Sequence, residues 1–309
     1  MPTPFKAYAF QGRIPGDYRQ LLLPEHYAYL QQLPAECFAI GIACGEKPAA
    51  LAVLYRDPGS PEGKLQSFVV APAWRRRGLG RQLYTLLENW AQQQQLKQIH
   101  VEYLAPAAAQ LEESKAKPAA GLQDTVSVPA RFLQACGFHI PQPGIYVWKG
   151  SLKELVQEPR GNRLQLTSSF SVTPFYELSD IERASIKNRV ELPYPSILDP
   201  FIEEHVIDQE HSLILRQNGN IAGWITVERF NNNTVLLKTM YVKDSCRSKG
   251  WGLVLALEAC RLLEREGLYE NWIGFVEASN PLMARLAIKQ LSPLHSVSVE
   301  VLWRTSKSI

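Results

Sequence analysis

Apolar positions along the chain keep to one of two rhythms, and the order in which the rhythms change is repeated. Phe5–Phe10, Glu36–Cys44, Ala49–Arg56 and Leu65–Val70 are short runs rich in aromatic and aliphatic residues, bounded by Gly, Pro and Asp, and they predict strands. Pro24–Leu33 reads as a short helix among them. From Arg81 to Gln95 the spacing becomes helical, with Leu83, Leu86, Leu87 and Trp90 on one face. Gln98–Leu104 returns to alternation through Ile99, Val101 and Tyr103. Val128–Cys136 is helical again, and Ile145–Lys149 closes the series as a strand.

The second half runs through the same changes. Phe170–Phe175 predicts a strand, and Ser179 caps a helix over Ile181–Arg189. Asp199–Ile207 predicts a second helix. His211–Arg216 and Ile221–Phe230 form a hairpin across Asn218–Gly219–Asn220, and Val235–Val242 is the next strand. Leu253–Arg265 (helix), Glu270–Glu277 (strand), Asn280–Leu291 (helix) and His295–Thr305 (strand) complete the half. The polar stretch between the halves, with Pro159, Gly161 and Asn162, reads as a linker. The pattern predicts an α/β fold with mixed sheets in two domains, residues 1–150 and 170–309, joined by 151–169. Ala105–Thr125, rich in Ala, Pro, Gln and Lys, reads as a surface insertion.

In each half the strand before the long helix ends in a basic, glycine-containing loop. The first is Val69–Val70–Ala71–Pro72–Ala73–Trp74–Arg75–Arg76–Arg77–Gly78–Leu79–Gly80–Arg81. The second is Val242–Lys243–Asp244–Ser245–Cys246–Arg247–Ser248–Lys249–Gly250–Trp251–Gly252. The two arginines stand 247 − 75 = 172 residues apart, and both glycine pairs keep that offset. A repeat of this length is a duplicated domain. Such a loop makes an anion site, because the first turn of a helix carries unpaired N–H groups and glycine lets a phosphate approach the backbone. The Walker pattern is absent. Leu83 stands where a dinucleotide fingerprint needs a small residue.

What remains, V-x-P-x-x-R-x-x-G-x-G, resembles the acetyl-coenzyme-A pyrophosphate loop of the GNAT superfamily of N-acetyltransferases. The resemblance covers both halves, a tandem arrangement similar to that of mycothiol synthase. It implies two tandem GNAT (acyl-CoA N-acyltransferase) domains. Acetyl-CoA would be held by Val69, Val70, Arg75–Arg81, Val242, Arg247, Ser248, Lys249, Gly250, Trp251 and Gly252. Asn280 is a further contact, since V-x-x-x-N is a family pattern and Val276 precedes it. The implied reaction is attack of an amine, on a small molecule or peptide, upon the thioester. Phe132, Leu133, Gly137 and Phe138 fit the family's A-x-x-F-Y-x-x-x-G-F, with Leu133 where the proton-donating tyrosine usually stands. Leu133 cannot serve as the acid, so Tyr103 or bulk water is expected to protonate the thiolate, and Glu102, which follows the alternating strand Ile99–Val101, is the candidate base, drawing a proton through water. Pro72 is retained in the first loop and replaced by Asp244 in the second, so the chemistry is expected in the first half. The absent tyrosine supports the alternative of a catalytically inactive coenzyme-A-binding sensor or regulatory pseudo-enzyme.

Composition narrows the picture further. A net charge of +3 over 309 residues is too small to argue for nucleic acid or an anionic membrane. The five cysteines form no C-x-x-C pair and read as free thiols, and no metal site is expected. No apolar run approaches a membrane span or a signal-peptide core, so a cytoplasmic protein is expected. Glu204, His205, Asp208 and His211 read as a charged edge. Tyr194 lies in a proline turn near where an acceptor pocket would form. The acceptor and the oligomeric state are left open.

Overall fold

The computed structural model of the protein describes residues 5–106, 128–157, 166–247, 250–291, 294 and 296–309. The chain groups into two compact units that interleave along the sequence. Residues up to Ala105, those leading to Gly144, and Leu302–Ile309 form the first, and Ile145–Val301 form the second. The spatial division thus differs from a single cut near residue 150: each half of the chain lends its final strand segment to the other unit.

In the first unit β1 (Phe5–Phe10), β2 (Cys37–Cys44), β3 (Lys47–Arg56) and β4 (Glu62–Val70) form an antiparallel meander. The helix α1 (Leu79–Gln93) then crosses over, and β5 (Gln98–Pro106) lies parallel to β4. The strand predictions hold, with β4 and β5 longer at their ends. The predicted helix at Pro24–Leu33 is instead a 3₁₀ segment, Pro24–Leu30, and a second 3₁₀ segment, Gly16–Leu21, precedes it. Each face of this sheet has its own core. Leu79, Leu83 and Leu87 of α1 pack on Ala50, Ala52, Leu54, Leu65, Ile99 and Val101, joined by Leu133 and Phe138 from around α2 (Val128–Ala135). On the opposite face Ile14, Tyr18, Leu21 and Leu22 cover Ala39, Leu51 and Val53. The alternation of Leu51 and Val53 against Ala50, Ala52 and Leu54 makes both faces apolar.

The second unit repeats the plan. Between β6 (Gln142–Ser151) and β7 (Phe170–Pro174) lies α3 (Leu152–Gln157), a helix in the stretch the polar composition marks as linker. Buried Leu152 and Leu155 hold it in place, two apolar residues being too few to show as a periodicity. Ser179 and Glu182 form a reciprocal capping box on α4 (Asp180–Asn188), as expected. Residues 199–207 form turns rather than the predicted helix. Asp199 Oδ1 accepts from Phe201 N at 3.0 Å, and Glu203 has φ +54°, a left-handed conformation that interrupts helical hydrogen bonding.

Strands β8 (Leu213–Gln217) and β9 (Asn220–Arg229) make the predicted hairpin, with Asn218 at φ +50° and Gly219 at +84° in the turn. Beyond β10 (Thr234–Val242) come a single helical turn α5 (Asp244–Arg247), the long helix α6 (Trp251–Glu266), and β11 (Asn271–Glu277) parallel to β10. Then follow α7 (Pro281–Leu291) and β12 (Ser298–Ser308). Strand β6 pairs antiparallel with β11 along its length, Ser151 opposite Asn271 and Ile145 opposite Glu277. His211 is a bridge rather than a metal ligand. Its Nδ1 meets Asp208 at 2.7 Å and its Nε2 meets Glu266 at 2.8 Å. Burial opposes its charge, but the two carboxylates outweigh that and raise its pKa.

The end of β12 is fastened within the first unit. It lies beside β5, Gln98 Nε2 donates to Ser306 Oγ at 2.8 Å, and Ile309 N donates to Lys97 O at 3.0 Å. Lys307 Nζ donates to Glu88 on α1 and, at 2.6 Å, to Cys136 O. Truncation after Val301 is therefore expected to strip amide-exchange protection from those amides of Gln98–Val101 that face β12, while those bonded to β4 keep theirs. Full protection of the β12-facing amides in the shortened chain would contradict this assignment of the last strand.

Candidate functional site

Where β4 and β5 stop pairing, the first unit opens a fork. Their parallel register runs from Glu62 opposite Gln98 to Leu65 opposite Val101. Beyond that point β4 continues along β3, with Val70 opposite Ala50, while β5 runs on to Pro106. A bulge marks the parting: Val53 pairs with Ser67 and Leu54 with Leu65, so Gln66 is the extra residue. A bulge bends its strand and strengthens its twist, which carries β4 away from β5. On the side facing the fork, the β4 backbone is left with polar groups that no strand satisfies.

The second unit has the same fork. Parallel pairing of β10 and β11 ends at Leu237 opposite Gly274, and the bulge falls at Lys238. By this register the counterpart of Glu102 is Phe275, and Glu277 corresponds to Leu104. Glu277, which like Glu102 follows a valine, therefore stands two residues further along its strand than the position equivalent to Glu102.

Each β4-type strand delivers its loop to the N-terminus of the following helix. Gly78 caps α1 at φ +80°, ψ −8°, and Gly250 caps α6 at φ +81°, ψ +9°. This left-handed conformation is costly for other residues, which is why glycine recurs there. An added β-carbon would meet nothing within 4 Å at either position, so the space above both caps is open. Leu79, Gly80 and Arg81 form the first turn of α1, whose N–H groups lack acceptors within the helix. The first bond back to the cap is Gln82 N to Gly78 O at 3.1 Å. At Gly80 the helix packs closely on the Phe132 ring, which a β-carbon would approach to 3.2 Å.

The predicted loop residues take distinct places. Val69 packs with the cluster under the 3₁₀ segments and Val70 with the α1 side. Arg75 folds back so that Nε donates to Val70 O at 3.0 Å. Arg76 has φ +59°, and the Arg77 guanidinium lies 5.1 Å from the centroid of the Trp74 ring. Arg75, Arg76, Arg77 and Arg81 are all exposed around the cap. In the second loop Arg247 ends α5 and Ser248 and Lys249 lie outside the described residues. Trp251, counterpart of buried Leu79, turns inward and stacks on Phe170 with centroids 3.8 Å apart. Its bulk therefore does not cover the Gly250 cap. Val242 is buried at the strand end. Exposed Asn280 caps α7, with Oδ1 accepting from Met283 N at 3.2 Å, which leaves its amide N–H₂ to meet a ligand.

Glu102 and Tyr103, the first residues of β5 past the fork, point to opposite faces of the sheet. Tyr103 packs on the α1 core. Glu102 lies in a polar groove of about 300 Å³ with Tyr55, Asp57, Lys64, His100 and Arg304. Lys64 Nζ reaches Glu102 Oε2 at 2.6 Å, and Arg304 Nε on β12 reaches Oε1 at 3.0 Å. The Lys64 bond, opposed by partial burial and reinforced by Arg304, holds the Glu102 carboxyl below the usual carboxylate range. Lowered proton affinity makes a carboxylate a weaker general base and a better fixed anion. Neither cation is legible in the sequence, because Arg304 lies 202 residues from Glu102. Leu133 is buried in the α1 core, and Tyr194 packs edge-on against Trp224, with both rings in the second unit's core.

The family model described as Acetyltransferase (GNAT) family matches residues 9–111 and 175–290, together well over half of the chain. The protein belongs to this family, and both units carry the fold. A tandem GNAT protein from the clavulanic acid biosynthesis pathway, solved without AcCoA, has a TM-score of 0.53 at 17% identity. That match covers 90% of this chain and 85% of that one. A GCN5-related N-acetyltransferase from Sphaerobacter thermophilus has a TM-score of 0.54 at 20% identity, covering 87% of this chain and 80% of that one. The protein YwnH of Bacillus subtilis (strain 168) is 34% identical over 68 residues. Those residues are 21% of this chain and 41% of that protein. Among the described residues, no helix is long and apolar enough to cross a membrane.

The Glu102 cluster makes a direct prediction. Carboxyl NMR should place the Glu102 midpoint below 4.5, and Lys64→Met should raise it. An unchanged midpoint in that variant would show that the ion pair does not hold the carboxylate.

Proposed function

We propose that the protein is an acetyl-CoA-dependent N-acetyltransferase whose chemistry is carried by the first unit, with a small amine or a peptide amine as acceptor. The observation that supports this best is the conjunction of an open, left-handed Gly78 cap and a fork with its bulge on one strand–loop–helix unit. The amides of Leu79, Gly80 and Arg81 receive the pyrophosphate, with Arg75, Arg76, Arg77 and Arg81 adding positive charge. The pantetheine runs from there into the fork, where unpaired β4 N–H groups face the thioester oxygen. Acetyl-CoA supplies the activated acyl group.

The acceptor nitrogen, unprotonated, attacks the carbonyl carbon. The C–N bond forms as the C–S bond breaks, the amine proton leaves through water ordered at Glu102, and Tyr103 or solvent protonates the departing thiolate. In the second unit Asp244 replaces Pro72 and sets a carboxylate beside the loop, which disfavours a phosphate there by Coulomb repulsion. That unit serves mainly to complete and support the first. Asn280 is the feature that would let it bind a coenzyme A of its own.

A coenzyme-A-binding protein without turnover is the second reading, and Leu133 in place of the family's tyrosine is what favours it. Thiol release from acetyl-CoA across a panel of amines separates the two, and only the enzyme releases thiol in step with amide formed. Under the first reading Gly78→Asp, which sets a like charge against phosphate, lowers coenzyme A affinity at least ~10-fold. Gly78→Asn, left-handed-tolerant and neutral, does so less. Arg75→Glu abolishes turnover and Arg247→Glu spares it. Coenzyme A held at wild-type affinity by the Gly78→Asp, Gly250→Asp double variant would refute the loop assignment. The opposite outcome for the arginine pair would move the chemistry to the second unit.

A further inference from the structure

Two residues beyond the last paired position of the first fork stands a hydroxyl with no partner. Ser67 is 5% exposed, and its Oγ meets no hydrogen-bonding group among the described residues. It lies on the sheet face away from α1, opposite Val53 and two residues from Val69, both part of an apolar cluster. A buried hydroxyl left unpaired costs about 1–3 kcal/mol. A serine retained in apolar company therefore calls for a ligand.

The second unit supplies an internal control. Thr239 occupies the equivalent place, first after the Lys238 bulge, and its strand partner is Thr226. There the two Oγ1 atoms lie 2.7 Å apart, and Thr239 N also donates to Thr226 Oγ1 at 3.2 Å. Where the first unit sets valine against serine, the second sets threonine against threonine and closes the pair. The bulge residue differs likewise. Lys238 is held at 2.7 Å by both Glu203 and Glu228, whereas Gln66 is uncharged.

We propose that the Ser67 hydroxyl donates a hydrogen bond to the carbonyl oxygen of the acyl group bound in the first fork, so that this unit distinguishes an acyl-CoA from free coenzyme A. The inference rests on the proposed function, which places the thioester at the fork. In the second unit the equivalent hydroxyl, Thr239 Oγ1, already lies in a hydrogen bond with Thr226 Oγ1, so that fork has no unpartnered hydroxyl at this place.

The test is calorimetric titration of the full chain with acetyl-CoA and, separately, with coenzyme A. In Ser67→Ala, acetyl-CoA affinity falls roughly 2- to 10-fold while coenzyme A affinity and thermal stability are kept. Val53→Thr, which gives Ser67 the partner seen in the second unit, lowers the acetyl-CoA preference in the same way. An unchanged acetyl-CoA to coenzyme A ratio in Ser67→Ala would overturn the inference and leave Ser67 a tolerated core hydroxyl. Equal loss of both ligands would also overturn it, as the effect would then not belong to the acyl group. Failure of the unmutated protein to bind either ligand would instead overturn the proposed function.

Discussion

The features that bear on function follow from a loss of backbone hydrogen bonding between two parallel strands. After Leu65 and Val101, β4 and β5 part, and a single extra residue, Gln66, bends β4 away. The sheet tolerates the parting because each strand keeps another neighbour. Strand β4 remains paired with β3 to Val70, and β5 has the end of β12 beside it. The opening thus costs the sheet only the bonds between β4 and β5, and those are the groups a bound thioester can use. The same constraint sets the loop in place. A strand that bends at the bulge and ends at Val70 sends Pro72–Gly78 to the start of α1, where unpaired amides and four arginines are gathered.

The duplication lets the two forks be compared position by position. Backbone features are conserved between the units: the bulge, the length of the parallel register and the left-handed glycine cap all recur. Side chains at the fork are not. Thr239 is closed by Thr226, and Lys238 is neutralised by two glutamates, while Ser67 and Gln66 have neither arrangement. A unit that satisfies its own fork internally gains stability and gives up donors for a ligand, since an internal hydrogen bond must be broken before an external one forms. The loop tells a parallel story. Trp251 and Leu79 are both buried, so the difference between the loops lies in Asp244 and Pro72 rather than in the bulky ring.

Much of this was legible in the sequence because it is carried by local, periodic signals. The strand–helix order, the capping box at Ser179, the Asn218–Gly219 hairpin and both glycine loops are each encoded within about ten residues of chain. The 172-residue offset then tied the halves together. What escaped was non-local or lacked a pattern. The partners Arg304 and Glu102 lie 202 residues apart, and the lodging of Leu302–Ile309 in the first unit has no sequence signature. A bulge residue looks like any strand residue, so Gln66 and Ser67 drew no attention. The 172 offset that pairs Ser67 with Thr239 was the signal that could have found them. The helix expected over Asp199–Ile207 does not form, because a side-chain acceptor on Asp199 and a left-handed Glu203 break the ladder.

The account rests on the claim that the first fork, rather than the second, receives the thioester. A crystal structure of the protein with acetyl-CoA tests it most directly. The account predicts density with the pyrophosphate on the amides of Leu79, Gly80 and Arg81 and the acetyl group between β4 and β5 just past Leu65 and Val101. Acetyl-CoA bound solely at the Gly250 cap, with its thioester past Leu237 and Gly274, would contradict it.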